Sequence, residues 1–117
     1  MKFFRVITGI VLLLTCSSAI FGYSEAVTTV TADKITQYRA HSISHATAKN
    51  MHMFLVNGLS SGCNSVFLYA DQDPYLFATT LSAIQKQQTV TLIYDVDAKG
   101  PWGDPSYCQL TSITINR

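Results

Sequence analysis

The 117-residue sequence has little charge and no excess of either sign: 8 Lys and Arg stand against 7 Asp and Glu, together 13% of the chain. Binding through nucleic-acid phosphates draws on a clear positive excess, so nucleic acid is not an expected partner. No Cys-x-x-Cys pair and no cysteine–histidine spacing of a zinc site is present. The calcium-loop pattern D-x-D-x-D-G is missing too. His41 and His45 are four apart, but no Glu follows His41 and the segment has no helical stripe, so they read as a solvated loop. No metal and no cofactor are therefore expected. Ser60 and Ser61 lack a histidine–aspartate context. The carboxylate pairs Asp71/Asp73 and Asp95/Asp97 read as helix-start and turn chemistry rather than as a glycosidase pair. The chain is not expected to be an enzyme.

What is present begins with an export signal. Lys2 and Arg5 precede an apolar run from Val6 to Leu14, and small residues follow from Cys16 to Ala19. This is the layout of a secretory signal peptide, too short for a spanning helix. Residues 1–22 are assigned to it, with cleavage between 19 and 26, and lipidation at Cys16 is the alternative processing route. Residues 23–117 then form one domain in a secreted or periplasmic setting. Losing Lys2 and Arg5 leaves 6 basic against 7 acidic residues, and losing Cys16 leaves Cys63 and Cys108. An even pair in an exported chain reads as one disulfide, and a loop of about 45 residues closed this way gains about 4 kcal/mol on the chain-entropy model.

Val27 to Tyr38 is rich in Thr and Val and suits a strand, though its alternation is poor. Ala40 to Asn50 is small, polar and loop-like. Met51 to Val56 and Ser65 to Ala70 are apolar strands. Asp73-Pro74 starts a helix, with Asp as N-cap and Pro at the first helical position. Phe77, Leu81 and Ile84 mark its apolar face, expected to plug the core. Thr89 to Tyr94 and Cys108 to Ile115 return to strand character, separated by a loop holding two Pro and two Gly between Asp97 and Ser106.

Strand, strand, strand, helix, strand, strand is the order of an all-β fold with one helix, the five-stranded OB-fold barrel with its helix between strands 3 and 4. In that barrel strands 3 and 5 run parallel, so Cys63 and Cys108 fall close together. A small β-sandwich is the rival, with the helix as an insertion. OB domains bind oligosaccharides through the loop after the fourth strand. Here that loop carries Trp102, flanked by Asp97 and Asp104 as hydroxyl acceptors. Packing of Trp102 over the disulfide or a neighbouring subunit is the alternative.

Ile35-Thr36-Gln37-Tyr38, Met53-Phe54-Leu55-Val56-Asn57-Gly58, the helix and Val90-Thr91-Leu92-Ile93-Tyr94 together resemble the B subunits of pentameric toxins of the subtilase-cytotoxin and pertussis type. The chain departs from them at Leu55, where the family has a cysteine, in a longer Arg39–Asn50 loop, and in lacking their C-terminal extension. The resemblance implies a homopentamer that recognises cell-surface glycans, sialylated ones among them, and an enzymatic A subunit as partner. By position it also implies that Thr31 and Tyr94 contact sugar. The expectation is thus a secreted, non-catalytic module for a glycan or glycoprotein receptor. The alternative is a monomeric periplasmic OB-fold protein that binds a protein partner as inhibitor or assembly factor.

Overall fold

A computed structural model describes residues 24–117. The signal segment assigned to residues 1–22 lies outside the described residues. The described residues are mostly β with one α-helix. The strands are β1 (Glu25–Val30), β2 (Ile35–Ala40), β3 (Met51–Val56), β4 (Ser65–Tyr69), β5 (Thr89–Asp95) and β6 (Tyr107–Asn116). Helix α1 (Pro74–Gln85) joins β4 to β5.

All six strands form one open sheet in the order β1-β5-β6-β4-β3-β2. This corrects the closed five-stranded barrel in two respects. The Thr/Val-rich segment is two strands, broken by a 3-10 turn at Ala32–Lys34. The turn closes through Lys34 N–H to the Thr31 carbonyl at 3.0 Å, and the Thr31 hydroxyl donates to the Asp33 carboxylate. Such local hydroxyl and carboxylate bonding competes with a strand ladder. The ladder is also open, because among the described residues β1 pairs only with β5 and β2 only with β3.

The sheet nevertheless curls. Its two edge strands are consecutive in the chain, and Val30 is five residue steps from Ile35. Those steps span at most about 18 Å, whereas the edges of a flat six-stranded sheet lie roughly 24 Å apart. The curl gathers one face around a core of Phe54, Val56, Val66, Leu68, Leu92 and Leu110, with Ala26 and Val30 from β1. Each large side chain buried there contributes about 1.5–3 kcal/mol.

Helix α1 starts at the expected Pro74, and the Asp73 carbonyl accepts the Phe77 N–H at 3.0 Å. The Asp73 side chain makes no capping bond. The helix face differs from expectation as well. Thr80 and Ala83 are its buried residues, while Phe77, Leu81 and Ile84 pack half-buried around them. Small side chains let the helix backbone approach the sheet. Thr80 is satisfied there by its hydroxyl bond to the Leu76 carbonyl at 2.8 Å.

The β4–β6 pair is parallel, with Val66 opposite Cys108. Cys63, three residues ahead of Val66, reaches Cys108 as a disulfide with Cα atoms 5.9 Å apart. The expected pairing is present.

The opposite face of β3, β4 and β6 has its own core. Met51, Met53 and Phe67 are buried there with Ala48, and Tyr69 and Tyr107 pack against them. The loop joining β2 to β3 delivers Ala48, which is fully buried. Gly100 closes the site from the β5–β6 loop: a Cβ there would lie 3.3 Å from the Tyr107 ring and 3.6 Å from Met51 Cε.

Replacing both Cys63 and Cys108 by Ala is expected to cost about 2–5 kcal/mol, read as a lower urea midpoint with a similar m-value. Equal midpoints for the variant and the oxidised wild type would show that β4–β6 pairing holds without the bond.

Candidate functional site

A cleft of about 440 Å³ with a mixed lining lies where the 3-10 turn meets the C-terminal end of α1 and the start of β5. Ala32, Ile35 and Ile84 supply its apolar surface, and Thr31, Asp33, Gln87 and Thr89 its polar groups. Each element places its residue for a local reason. The 3-10 turn brings Thr31 and Asp33 onto one side of the chain. The bond from the Thr31 hydroxyl, aided by Lys34, holds the Asp33 carboxyl below the usual carboxylate range, so the cleft carries one negative charge at neutral pH.

Gln87 arrives through the helix end. Gln88 N–H bonds the Ala83 carbonyl at 3.0 Å and Gln87 N–H bonds the Ile84 carbonyl at 3.1 Å. These are the two bonds of a Schellman motif, which wants Gly at the position held by Gln87. Gln87 instead sits at φ 53°, in the left-handed region. A side chain kept at a left-handed position costs about 1 kcal/mol. The residue that this strain retains lines the cleft.

The residues expected to bind ligand are divided by the fold. Thr31 is exposed and lines the cleft. Trp102, Asp97 and Asp104 lie in the β5–β6 loop, at the far end of β5 from Thr89. Trp102 is 44% exposed and is propped by Tyr107 and His41, each with ring centroids 5.7 Å away. The packing partners are thus two rings rather than the disulfide. Asp97 is exposed, and its N–H bonds the Asp95 carboxylate at 2.9 Å. Asp104 accepts from both the N–H and the hydroxyl of Ser106, at 2.9 and 2.7 Å, which lowers its carboxyl below the ordinary value. Tyr94 is fully buried. Its hydroxyl is taken by Thr28 at 2.7 Å, the Ser60 N–H at 2.9 Å and the Ser60 hydroxyl at 3.0 Å. In this arrangement it ties β1, β5 and the β3–β4 loop together and presents no surface to a sugar.

No family model, curated protein or solved structure matches the chain.

The site therefore rests on its own chemistry. Hydroxyls, one amide and one carboxylate around isoleucine side chains can hydrogen-bond a polyhydroxylated ligand and cover its apolar face. No reactive nucleophile or paired carboxylate lines the cleft. Among the described residues, no group of three or more His, Cys, Asp or Glu is gathered to hold a metal. A second, smaller hollow of about 130 Å³ lies on the opposite face between Gln37, Arg39, Leu55 and Tyr107.

Sequence reasoning reached Thr31 by position but missed Asp33 and Gln87. The Thr-x-Asp spacing of residues 31–33 is a turn signal that identifies the break in the strand. No local pattern marks Gln87, because its exposure to the cleft depends on where α1 docks.

Tyr94→Phe is expected to destabilise by about 1–3 kcal/mol in denaturant melts, because it strands the Ser60 N–H. Ser106→Ala is expected to raise the Asp104 carboxyl toward its ordinary value, followed by NMR titration of the side-chain carboxyl. The sign follows from linkage: the depressed Asp104 stabilises the fold above the unfolded value and loses this as pH falls through the folded one.

Proposed function

We propose that this protein is a non-catalytic binding module for glycans and that the cleft beside the 3-10 turn is its ligand site. The observation that carries this reading is the lining: hydroxyl, amide and carboxylate groups over isoleucine side chains, in a cavity of about 440 Å³. That size falls within the range of small-molecule sites, about 300–1,000 Å³. Thr31, the hydroxyl residue that the toxin B subunits' pattern puts against sugar, is on its rim.

Counting β1 and β2 as one interrupted strand supports an OB-like reading. The sheet order then runs from the first strand through the fourth, fifth, third and second back to the first. A toxin-B-like, secreted homopentamer with sialylated receptors and an A-type partner is the fullest form of this proposal. The disulfide fits an oxidising secreted or periplasmic setting. A monomeric OB-like protein binding a protein partner draws support from β2. Its free edge is an unpaired backbone row, and Tyr38 on it is 45% exposed.

Glycan-array screening of the oxidised protein with sialylated and neutral ligands tests the proposal. Thr31→Val and Gln87→Gly are each expected to weaken binding about ten-fold, a loss of about 1.4 kcal/mol. Gln87→Gly should meanwhile raise stability by up to about 1 kcal/mol. Trp102→Ala is expected to retain binding. Absence of binding by the wild type across the array would refute the glycan reading. Native mass spectrometry showing a monomer would refute the pentamer.

A further inference from the structure

We propose that the loop between β2 and β3 is an acid-released latch and that His45 is its switch. The loop runs from His41 to Asn50 and closes the second core by inserting Ala48 beside Met51. His45 holds this closure. Its Nδ1 accepts the Ala48 N–H at 2.9 Å and the Thr47 N–H at 3.3 Å. A nitrogen that accepts must carry a lone pair, so both bonds exist only while Nδ1 is unprotonated. Protonation replaces the lone pair with an N–H that faces two other N–H groups. The Ala48 amide then loses its partner at the point where its side chain enters the core.

His41 is built in the opposite way. Its Nδ1 lies 2.9 Å from the Met51 carbonyl oxygen, which can only accept. That bond needs a proton on Nδ1 and survives when the ring becomes cationic. The asymmetry assigns the switch to His45 and the anchor to His41.

The surroundings add to the effect of acid. His41 and His45 pack edge to face with ring centroids 4.8 Å apart, so charging both sets like charges side by side. His52 on β3 is held below the ordinary histidine value, first by burial and then by His41. As pH falls below about 6.5 the unfolded chain takes up that proton first, so His52 also withdraws stability in acid. The other titratable groups on the packed elements are Arg39 ahead of the loop, Lys49 within it, Tyr38 bonded to His52, Tyr69 on β4 against Phe67, Tyr107 behind Trp102, and Asp97, Lys99 and Asp104 on the Trp102 loop. Asp104 is engaged by Ser106.

Opening the latch has a defined consequence. Met51, Met53 and Phe67 lose the cover of Ala48, and the His41 ring, still anchored against Trp102, loses its edge-to-face contact with His45. The proposal is independent of the glycan reading, because the ligand cleft lies at the other end of the sheet.

Amide hydrogen exchange on the oxidised full chain tests it. After correction for intrinsic exchange, Thr47 and Ala48 should lose about ten-fold or more protection between about pH 7.5 and pH 5. His45→Gln keeps an acceptor oxygen that does not titrate, so it should remain protected at both pH values. His45→Ala should be unprotected at both. Fluorescence of Trp102, the one tryptophan in the sequence, should change with the same midpoint in the wild type and lose that change in His45→Gln. Unchanged wild-type protection at low pH, or an acid response that persists in His45→Gln, would overturn the proposal. Should His45→Gln not fold, NMR titration of the wild type decides. Coincident midpoints for the His45 ring and the Ala48 amide support the latch, and separate midpoints overturn it.

Discussion

The connection between β1 and β2 is too short for a flat sheet, and much of the architecture follows from that limit. The residues Thr31 to Lys34 join the two strands that terminate the ladder on opposite sides. About 18 Å of chain cannot bridge the roughly 24 Å between the edges of a flat six-stranded sheet. The sheet must curl, and curling gives it an inside. Ala26 and Val30 from one edge then reach the same core as Phe54 and Val56 from the other side. The 3-10 turn at the junction is also a wall of the cleft proposed as the ligand site, so the device that bends the sheet exposes Thr31 and Asp33 to solvent.

The curl leaves the other face to be covered separately. Helix α1 lies against the inner side, and among the described residues no helix or strand covers β3, β4 and β6 on the outer side. Two loops do so instead. One contributes Ala48 and the other Gly100 and Trp102, and both meet over Met51 and Tyr107. This second core is small and is closed by hydrogen bonds through imidazoles rather than by a strand or helix. A histidine that accepts backbone N–H groups is an efficient turn former at neutral pH and a poor one in acid. The Cys63–Cys108 bond anchors the parallel β4–β6 pair beneath it. That pair has only a short register of contact, from Ser65 to Phe67, and the covalent tie compensates for its brevity.

Much of the local structure was legible along the chain. Met51 to Val56 is apolar apart from His52 and is ended by Asn57-Gly58, and it forms β3. Asp73-Pro74 marks the start of α1 because proline suits a helix's first turn and little else in this context. Thr89 to Asp95 alternates buried and half-buried residues as a strand between a core and an outer face should. The division of Val27 to Tyr38 was signalled by the Thr-x-Asp spacing at residues 31–33 and by Ala-Asp-Lys, three residues with low strand preference amid Thr and Val. Burial of Thr80 and Ala83 ahead of Phe77 and Leu81 was not legible, because it depends on how closely α1 approaches β6.

The residues that concern function separate along the same line. Sequence alone determined the balanced charge, the pairing of the two cysteines, the helix start and the strand-forming segments, because each of these acts through composition or through neighbours a few residues away. Tertiary structure decided that Tyr94 is an internal tie, that Thr31 shares a cleft with Gln87, and that His45 faces the amide of Ala48 beside Met51. Those outcomes depend on which strands become neighbours when the sheet curls, and the curl is set by the reach of one short connection rather than by any residue's own preference.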